Sequence, residues 1–355
     1  MENINTRTEI INLINNYDDQ NCDHINLNYL FRTCSKYGYL DLAENIYRIA
    51  KLFDKPINIH YYKDKPFRNC CKFGYYDFAI WLFETAITDT NYPININAHF
   101  DYPILNSIDN NHLEIVEWLF KIGRSIYTNY QFKPIDIHLN DDSLFIRACT
   151  QNQVKMAKLI YNISTELESV IVIKNVIIKI LCNISNTDQN QEDQNGLIIW
   201  LIELLINDGH IHEVDYNKIF SYCCKLGNIQ LMELIIDIAN KFNIIIDYHC
   251  YNELPFQLIC CYGHINLLNW FYSLLNQSVK LEASDGYALL LSSSNGFIDV
   301  VNWLIDHDKN NSLNSYLPNA LEIAHMNHHL NVASYLYDYC KTNSIHIMND
   351  LTKDI

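Results

Sequence analysis

The sequence is poor in basic residues, glycine and proline. It has 25 lysines and arginines against 41 acidic residues, which gives a formal net charge of −16 at pH 7. Proteins that bind nucleic acid need clustered basic residues to displace counterions from phosphates, so we expect no nucleic-acid partner. Nine glycines and seven prolines in 355 residues exclude collagen-like chains and glycine- or proline-rich linkers.

Long hydrophobic runs and a leader are also missing. The most apolar stretches, residues 169–184 and 197–206, are short or interrupted by charges, whereas a helix needs roughly 20 apolar residues to span a bilayer. The first residues lack the basic start and apolar run of a secretory signal. We therefore expect an intracellular protein that is not secreted and contacts no membrane. Its twelve cysteines should then stay reduced and act as small apolar residues.

The sequence does contain a repeat, and it has ample material for a core, since 49% of its residues are hydrophobic. Residues 31–43 and 67–79 are two copies of one unit. Each begins with Phe-Arg and places a cysteine three residues and a glycine seven residues after the Phe. Five of the nine glycines occupy this position, which we call the anchor: Gly38, Gly74, Gly227, Gly263 and Gly296. Weaker copies place there residues that tolerate a positive φ: Asn111, Asn152 and His328.

The five tryptophans support the same register. Four of them follow an anchor by seven residues: Trp81, Trp118, Trp270 and Trp303. The fifth, Trp200, lies in a similar segment within the long interval between residues 152 and 227. We therefore predict eight clear repeats and one degenerate repeat. The degenerate copy carries a polar run at 186–195 that has nothing apolar to bury, and we expect this run to be a disordered insertion.

Each repeat is expected to form two helices and a loop. Apolar residues at helical spacing before the anchor predict a short first helix, with cysteines as small residues on its packed face. The anchor should end that helix in a left-handed conformation. Apolar residues two, four, five and eight positions later predict a second helix. Short alternating stretches between repeats, such as 57–59 and 94–96, are typical of the arms of a hairpin loop.

Two helices and a hairpin in about 33 residues resemble the ankyrin repeat. Residues 111–119 and 263–271 are close to the Gly-His-Leu-Glu-Val-Val start of that family's second helix, whereas no copy keeps the family's histidine in the first helix. With its Ile and Asn bias, the chain is similar to the ankyrin-repeat families of giant DNA viruses of amoebae, of the mimivirus type. The resemblance implies an all-α ankyrin-repeat solenoid over residues 25–340, with a capping helix in 1–24 and a tail at 341–355.

No motif in the sequence indicates catalysis or metal binding. Cysteines do not occur at the C-x2-C spacing of zinc sites. Glycine-rich phosphate-binding motifs and the G-x-S-x-G and H-E-x-x-H motifs are absent as well. We therefore predict that the chain is not an enzyme and that it has no catalytic residue, no metal site and no cofactor.

The resemblance implies a concave surface that binds a protein partner. By family register, residues just before the anchors lie near that surface: Lys36, Tyr37, Lys72, Phe73, Lys225 and Tyr262. They suggest a basic and aromatic stripe over the first two repeats that contacts an acidic or apolar segment. The alternative is that the lysines are solvated charges at helix ends and the rings pack on the next repeat.

We accordingly predict a monomeric scaffold or adaptor that binds an unidentified protein through its concave face and hairpin loops. The alternative function is a structural or packaging component of a viral particle or assembly. The sequence does not choose the partner, because function depends on the chemistry of a site and not on the fold.

Overall fold

The computed structural model describes residues 7–17, 25–90, 92–126, 133–183 and 191–347. Parts of three predicted segments lie outside the described residues: 1–6 and 18–24 of the capping segment, 186–190 of the polar insertion, and 348–355 of the tail. Among the residues described, the chain is all-helical and contains no β-strand. None of the described helices is long and apolar enough to cross a bilayer.

The helices follow one another with short connections. Their bounds are α1 Arg7–Asn15, α2 Leu27–Tyr37, α3 Leu40–Leu52, α4 Tyr61–Phe73, α5 Tyr76–Thr90, α6 Ala98–Asp109, α7 Leu113–Ile126, α8 Leu139–Thr150, α9 Val154–Glu166, α10 Ile173–Asn183, α11 Gln191–Asn207, α12 Tyr216–Cys224, α13 Ile229–Lys241, α14 Cys250–Cys261, α15 Ile265–Leu274, α16 Ala283–Ser294, α17 Ile298–His307, α18 Leu317–Met326 and α19 Leu330–Thr342. A short 3₁₀ helix, Ile211–Glu213, precedes α12.

The chain divides into two compact units, residues 1–171 and 172–355. In the first unit, α2/α3, α4/α5, α6/α7 and α8/α9 form contacting pairs, and each first helix packs on the first helix of the next pair. The second unit repeats this arrangement with α10/α11, α12/α13, α14/α15, α16/α17 and α18/α19. The described residues thus contain nine helix pairs. This number agrees with eight clear repeats and one degenerate repeat, of which α10/α11 is the degenerate one.

The capping segment and the polar run are partly visible. Helix α1 packs on α3 and buries Ile10 and Ile14, and Tyr17 lies edge-on to Phe53 with ring centroids 5.1 Å apart. Helix α1 therefore covers apolar surface of the first unit. The last five residues of the polar run, 191–195, do not form an irregular insertion, because α11 begins at Gln191.

All eight anchor residues adopt the left-handed conformation, with φ between +56° and +81°. A ring from the next pair lies over each anchor glycine, supplied by Tyr75, His112, His264, Phe297 and His329. A methyl group on any of these glycines would lie only 2.3–2.6 Å from that ring. The anchor therefore ends a helix and also makes room for the next pair.

Two of these rings are also hydrogen-bonded to the preceding pair. The Nε2–H of His112 donates to the carbonyl of Lys72 at 3.0 Å, and that of His264 donates to the carbonyl of Lys225 at 2.8 Å. These carbonyls belong to the last turn of a helix, where no intrahelical partner is available. Each bond thus ties the end of one first helix to the start of the next pair's second helix.

The tryptophans and phenylalanines of the repeat meet between pairs. Phe31 lies 6.1 Å from Trp81, and Phe67 lies 6.1 Å from Trp118, measured between ring centroids. In the second unit Phe256 lies 6.3 Å from Trp303. The remaining two tryptophans are half-buried, Trp200 in α11 and Trp270 in α15. The Phe seven residues before one anchor therefore packs on the Trp seven residues after the next.

Small residues fill the interface between consecutive first helices. Seven cysteines at these positions are fully buried: Cys34, Cys70, Cys71, Cys149, Cys223, Cys224 and Cys260. Two alanines, Ala148 and Ala324, occupy the same register and are also fully buried. Cysteine therefore serves here as a compact apolar residue.

The connections between pairs differ from the predicted hairpin arms. Five first helices begin with three consecutive left-handed residues: 62–64, 99–101, 140–142, 251–253 and 284–286. Side chains supply the hydrogen bonds that a paired strand would make. Asp64 accepts the backbone N–H of Asn95 at 3.2 Å, and Asn28 accepts that of Asn58 at 2.8 Å. Because side chains accept these backbone N–H groups, the segments do not need to pair as strands.

The left-handed turns carry acidic residues that are braced by histidine. His60 donates to Asp64 at 2.6 Å, and His249 donates to Glu253 at 2.9 Å. Both carboxylates belong to buried residues, and a buried carboxylate needs such a donor to offset its lost hydration. These left-handed turns are thus braced in part by histidines four residues before the acid.

The double role of the anchor can be measured in the second unit. Gly227→Ala places a side chain in a left-handed conformation, which costs about 1–2 kcal/mol, and it also displaces the His264 ring, whose hydrogen bond contributes about 1 kcal/mol. Gly209→Ala meets the same left-handed strain, at φ +72°, but has nothing within 4 Å of the added atom. We expect Gly227→Ala to lower the urea midpoint more than Gly209→Ala does. Equal losses in the two variants would show that the ring contact contributes nothing.

Candidate functional site

A cleft of about 310 Å³ lies between α2 and α4 in the first unit. We call it the α2–α4 cleft. Its lining residues are Tyr29, Arg32, Thr33, Ser35, Lys36, Tyr37, Tyr61, Lys65, Pro66 and Asn69. Three of them are basic, three are tyrosines and none is acidic. In a chain with a net charge of −16, a cleft with this lining is set apart from the average surface.

Helical spacing places the cleft residues of α2. Tyr29, Arg32 and Lys36 follow one another at intervals of three and four, so they share one face of the helix. The opposite side carries Leu30, Phe31 and Cys34, all of which are buried. The packing of that apolar side directs Arg32 and Lys36 toward the cleft.

Each of the three cations lies against a tyrosine ring. The Arg32 guanidinium is 4.2 Å from the centroid of the Tyr61 ring. The Lys36 ammonium is 5.0 Å from Tyr37, and the Lys65 ammonium is 5.8 Å from Tyr62. Such contacts attract a cation to the ring face while its N–H groups remain able to donate at the edges.

The α2–α4 cations have no carboxylate partner among the described residues. Two cations outside the cleft show the contrast. Arg147 is hydrogen-bonded to both carboxylate oxygens of Asp109, at 2.9 and 2.8 Å. Lys174 lies 2.5 Å from Glu213 and, together with His210, lowers the pKa of that carboxyl to about 2. The cleft is therefore a region of uncompensated positive charge.

Arg32 and Arg68 occupy the same position of the repeat but are bonded differently. Arg68 is buried and donates to the carbonyls of Tyr62 and Lys63, both at 2.9 Å, in the left-handed turn that starts α4. Helix α2 has no such turn, because Asn26 caps it by accepting the N–H of Tyr29 at 2.9 Å. Arg32 thus has no turn carbonyls to bind and lies in the cleft instead.

The predicted partner-binding residues do not form one site. Lys36 and Tyr37 line the cleft. In α4 the Lys72 ammonium lies 5.5 Å from the Phe73 ring, and 43% of Phe73 is exposed, but neither residue lines the cleft. In the first unit, the predicted stripe therefore extends along α4 past the residues that line the cleft.

Lys225 and Tyr262 lie in the second unit and are engaged locally. The Lys225 ammonium donates to the carbonyl of Cys182 at 3.3 Å and is 5.3 Å from the Tyr262 ring. Burial lowers the pKa of Lys225. Tyr262 in turn stacks on His264 with ring centroids 6.3 Å apart. Both residues are thus engaged in local packing, although Lys225 is not the solvated charge of the packing alternative.

Sequence reasoning missed the other two cations and the other two tyrosines of the cleft: Arg32, Lys65, Tyr29 and Tyr61. The prediction took only the two residues before each anchor. The signal was present in the helical spacing of Tyr29, Arg32 and Lys36, opposite the apolar face. The position of the Tyr61 ring, in contrast, depends on the left-handed turn at 62–64, which no sequence motif predicts.

Most thiols of the described residues are buried. All eleven described cysteines are free, and no group of three His, Cys, Asp or Glu side chains in the described ranges could hold a metal ion. Burial raises the pKa of Cys34 and of Cys223 to about 12. The thiolate, which is the nucleophile and the metal ligand, is therefore disfavoured at neutral pH.

Comparison with known proteins yields no relative: no protein-family model matches the chain, and no curated protein is significantly similar to it.

The two arginines of equal register should differ in their effect on stability. Arg68→Ala leaves two turn carbonyls without a donor and removes buried packing, so we expect a loss of about 2–4 kcal/mol in the free energy of unfolding. Arg32→Ala removes a half-exposed side chain with no protein acceptor and should cost less than 1 kcal/mol. Urea unfolding of both variants provides the comparison. Equal losses would contradict the assignment of Arg68 to the fold and of Arg32 to the surface.

The buried thiols predict a loss of stability in alkali. Their pKa values are raised in the folded state, so the stability that they contribute is fully present below the ordinary thiol pKa of about 9 and is lost as the pH rises from there toward 12. Each such thiol should lower the free energy of unfolding by up to about 1.4 kcal/mol per pH unit above 9. Urea midpoints at pH 7.5, 9 and 10 measure this, and Cys70→Ala should reduce the loss. A midpoint unchanged between pH 7.5 and 10 would contradict the prediction.

Proposed function

We propose that the chain is a non-enzymatic ankyrin-repeat adaptor that acts inside the cell and binds a protein partner through the first-helix face and turns of residues 1–171. The observation that carries the proposal is the α2–α4 cleft, which presents three cations and three tyrosines without an acidic residue. Tyrosine and arginine are enriched in the residues that dominate protein interfaces.

The arrangement of the helix pairs supports the ankyrin assignment. The pairs share a left-handed anchor, a ring from the next pair on each anchor glycine and a contact between consecutive first helices. Stacked units of this kind expose a continuous surface along their first helices. Such a surface suits an extended partner better than a small substrate, which requires a concave and enclosed pocket.

Charge also favours a protein partner over nucleic acid. The net charge of −16 repels polyanions at long range, while three local cations suffice to orient an acidic protein segment. The alternative role, a structural or packaging component, predicts association with copies of the same chain or with other particle proteins. Both roles can be separated in one experiment.

The test compares proteins that co-purify with the tagged full-length chain and with the double variant Lys36→Glu, Lys65→Glu. We expect one or two proteins in near-equal amounts with the unaltered chain, and their loss from the cleft variant. Lys121→Glu with Lys155→Glu is the matched control, since both lysines are exposed on second helices and the change in net charge is the same.

Retention of the partner by the cleft variant would remove the cleft from the proposal. Recovery of the chain alone, or of particle proteins only, would favour the structural role.

A further inference from the structure

We propose that the α2–α4 cleft recognises an acidic segment of its partner, with an Asp or Glu side chain bound to the Arg32 guanidinium and flanking acidic residues beside Lys36 and Lys65. This inference rests on the proposed protein-binding function and names the chemistry of the partner. A carboxylate is planar and matches the two parallel donors of a guanidinium edge.

Arg32 is exceptional among the six arginines of the chain. The guanidinium groups of the other five are each hydrogen-bonded or ion-paired: Arg7 with Asp41, Arg48 with Asn45, Arg68 with two turn carbonyls, Arg124 with Glu166, and Arg147 with Asp109. The Arg32 guanidinium has no acceptor among the described residues. Its guanidinium lies against the Tyr61 ring, 4.2 Å from the ring centroid.

The Tyr61 contact prepares Arg32 for binding. Stacking against the ring holds the guanidinium plane and reduces the entropy lost when a ligand orders it. Since a π-face satisfies none of the N–H donors, the edge of the group remains available for an anion. An arginine fixed in this way is better suited to bidentate recognition than a mobile surface lysine.

The surroundings of Arg32 select for negative charge. Lys36 and Lys65 line the same cleft, and no acidic side chain does. The chain carries 41 acidic residues, so most other surfaces repel an acidic segment and restrict it to this place. Cations that lie close together repel one another, and a bound anion offsets this repulsion.

The volume and lining of the cleft limit what can enter. About 310 Å³ accommodates one or two side chains at the lower end of ligand-site sizes. Tyr29, Tyr37 and Pro66 provide apolar surface beside the cations. The structure therefore favours a segment in which an acidic residue is next to an aliphatic or aromatic one.

The first experiment uses fluorescence polarisation with labelled 12-residue peptides and the full-length protein. One peptide alternates Glu and Asp with Leu and Tyr, and its matched control carries Gln and Asn at the acidic positions. We expect the acidic peptide to bind at least tenfold more tightly in 50 mM salt and to lose affinity in 200 mM salt, because screening weakens contacts between exposed charges.

The second experiment replaces Arg32. Arg32→Gln should fold, since Arg32 is half-buried, has no acceptor among the described residues, and is replaced by glutamine at the same position of the repeat in Gln257. We expect this variant to bind the acidic peptide about tenfold more weakly, with an unchanged thermal midpoint. Arg48→Gln is the control, because Arg48 is exposed on α3 and hydrogen-bonds to Asn45 at 2.8 Å. The Arg48→Gln variant should bind the acidic peptide with the affinity of the unaltered chain.

Three results would overturn the inference: no binding of the acidic peptide, equal binding of the acidic and amide peptides, or less than a twofold effect of Arg32→Gln. Free glutamate and unlabelled acidic peptide can also be compared as competitors of the labelled peptide. If glutamate displaces it at the same concentration as the unlabelled peptide, the cleft is a small-anion site and the inference of a protein segment fails. If a co-purifying partner persists with Arg32→Gln, this inference fails while protein binding stands. If no partner co-purifies although the acidic peptide binds, the proposed function fails and the anion preference stands.

Discussion

The interlock between the left-handed anchor and the ring of the next helix pair is the constraint on which the rest of the structure depends. At Gly74 the chain turns out of α4, and the absence of a side chain leaves room for the His112 ring. The ring then donates to the Lys72 carbonyl. Conformation, packing and hydrogen bonding thus coincide at one position, so the spacing of the anchors fixes how successive pairs meet. The small buried residues of the first helices, such as Cys70 and Cys71, follow from this close approach.

The same interlock explains why the surface residues gather where they do. Because consecutive first helices pack side by side, residues of equal register are neighbours on their outer faces. The start of each helix then decides what those residues do. In the left-handed turn that starts α4, two carbonyls accept hydrogen bonds from Arg68. Helix α2 starts at an Asn26 cap instead, so no turn carbonyl is there to accept a bond from Arg32. A difference in helix capping therefore becomes a difference in surface charge.

Much of the architecture could be predicted from the sequence, because the repeat places one physical requirement at one position many times. The positive φ at Asn111, Asn152 and His328 was predicted from their alignment with glycines. The pair α10/α11 was expected from the segment around Trp200 and from the double-length interval between residues 152 and 227. The predicted hairpin arms are not found as paired strands in the described residues, since the side chains of Asp64 and Asn28 accept backbone N–H groups from residues about thirty positions away. The candidate site was predicted only in part. Lys36 and Tyr37 line the cleft, but Arg32 was missed although its helical spacing places it on the face of Lys36, and Tyr61 was missed because its place depends on the left-handed turn that starts α4.

The most direct test of the interlock is an NMR measurement on protein labelled with ¹³C and ¹⁵N in histidine and glycine. Imidazole Nε2–H protons normally exchange too fast to observe, whereas those of His112 and His264 are bonded to backbone carbonyls at 3.0 and 2.8 Å. The account predicts observable Nε2–H resonances at neutral pH and nuclear Overhauser effects from these rings to the α-protons of Gly74 and Gly227. Rapid exchange of both protons, with no contact between the rings and the anchor glycines, would contradict it.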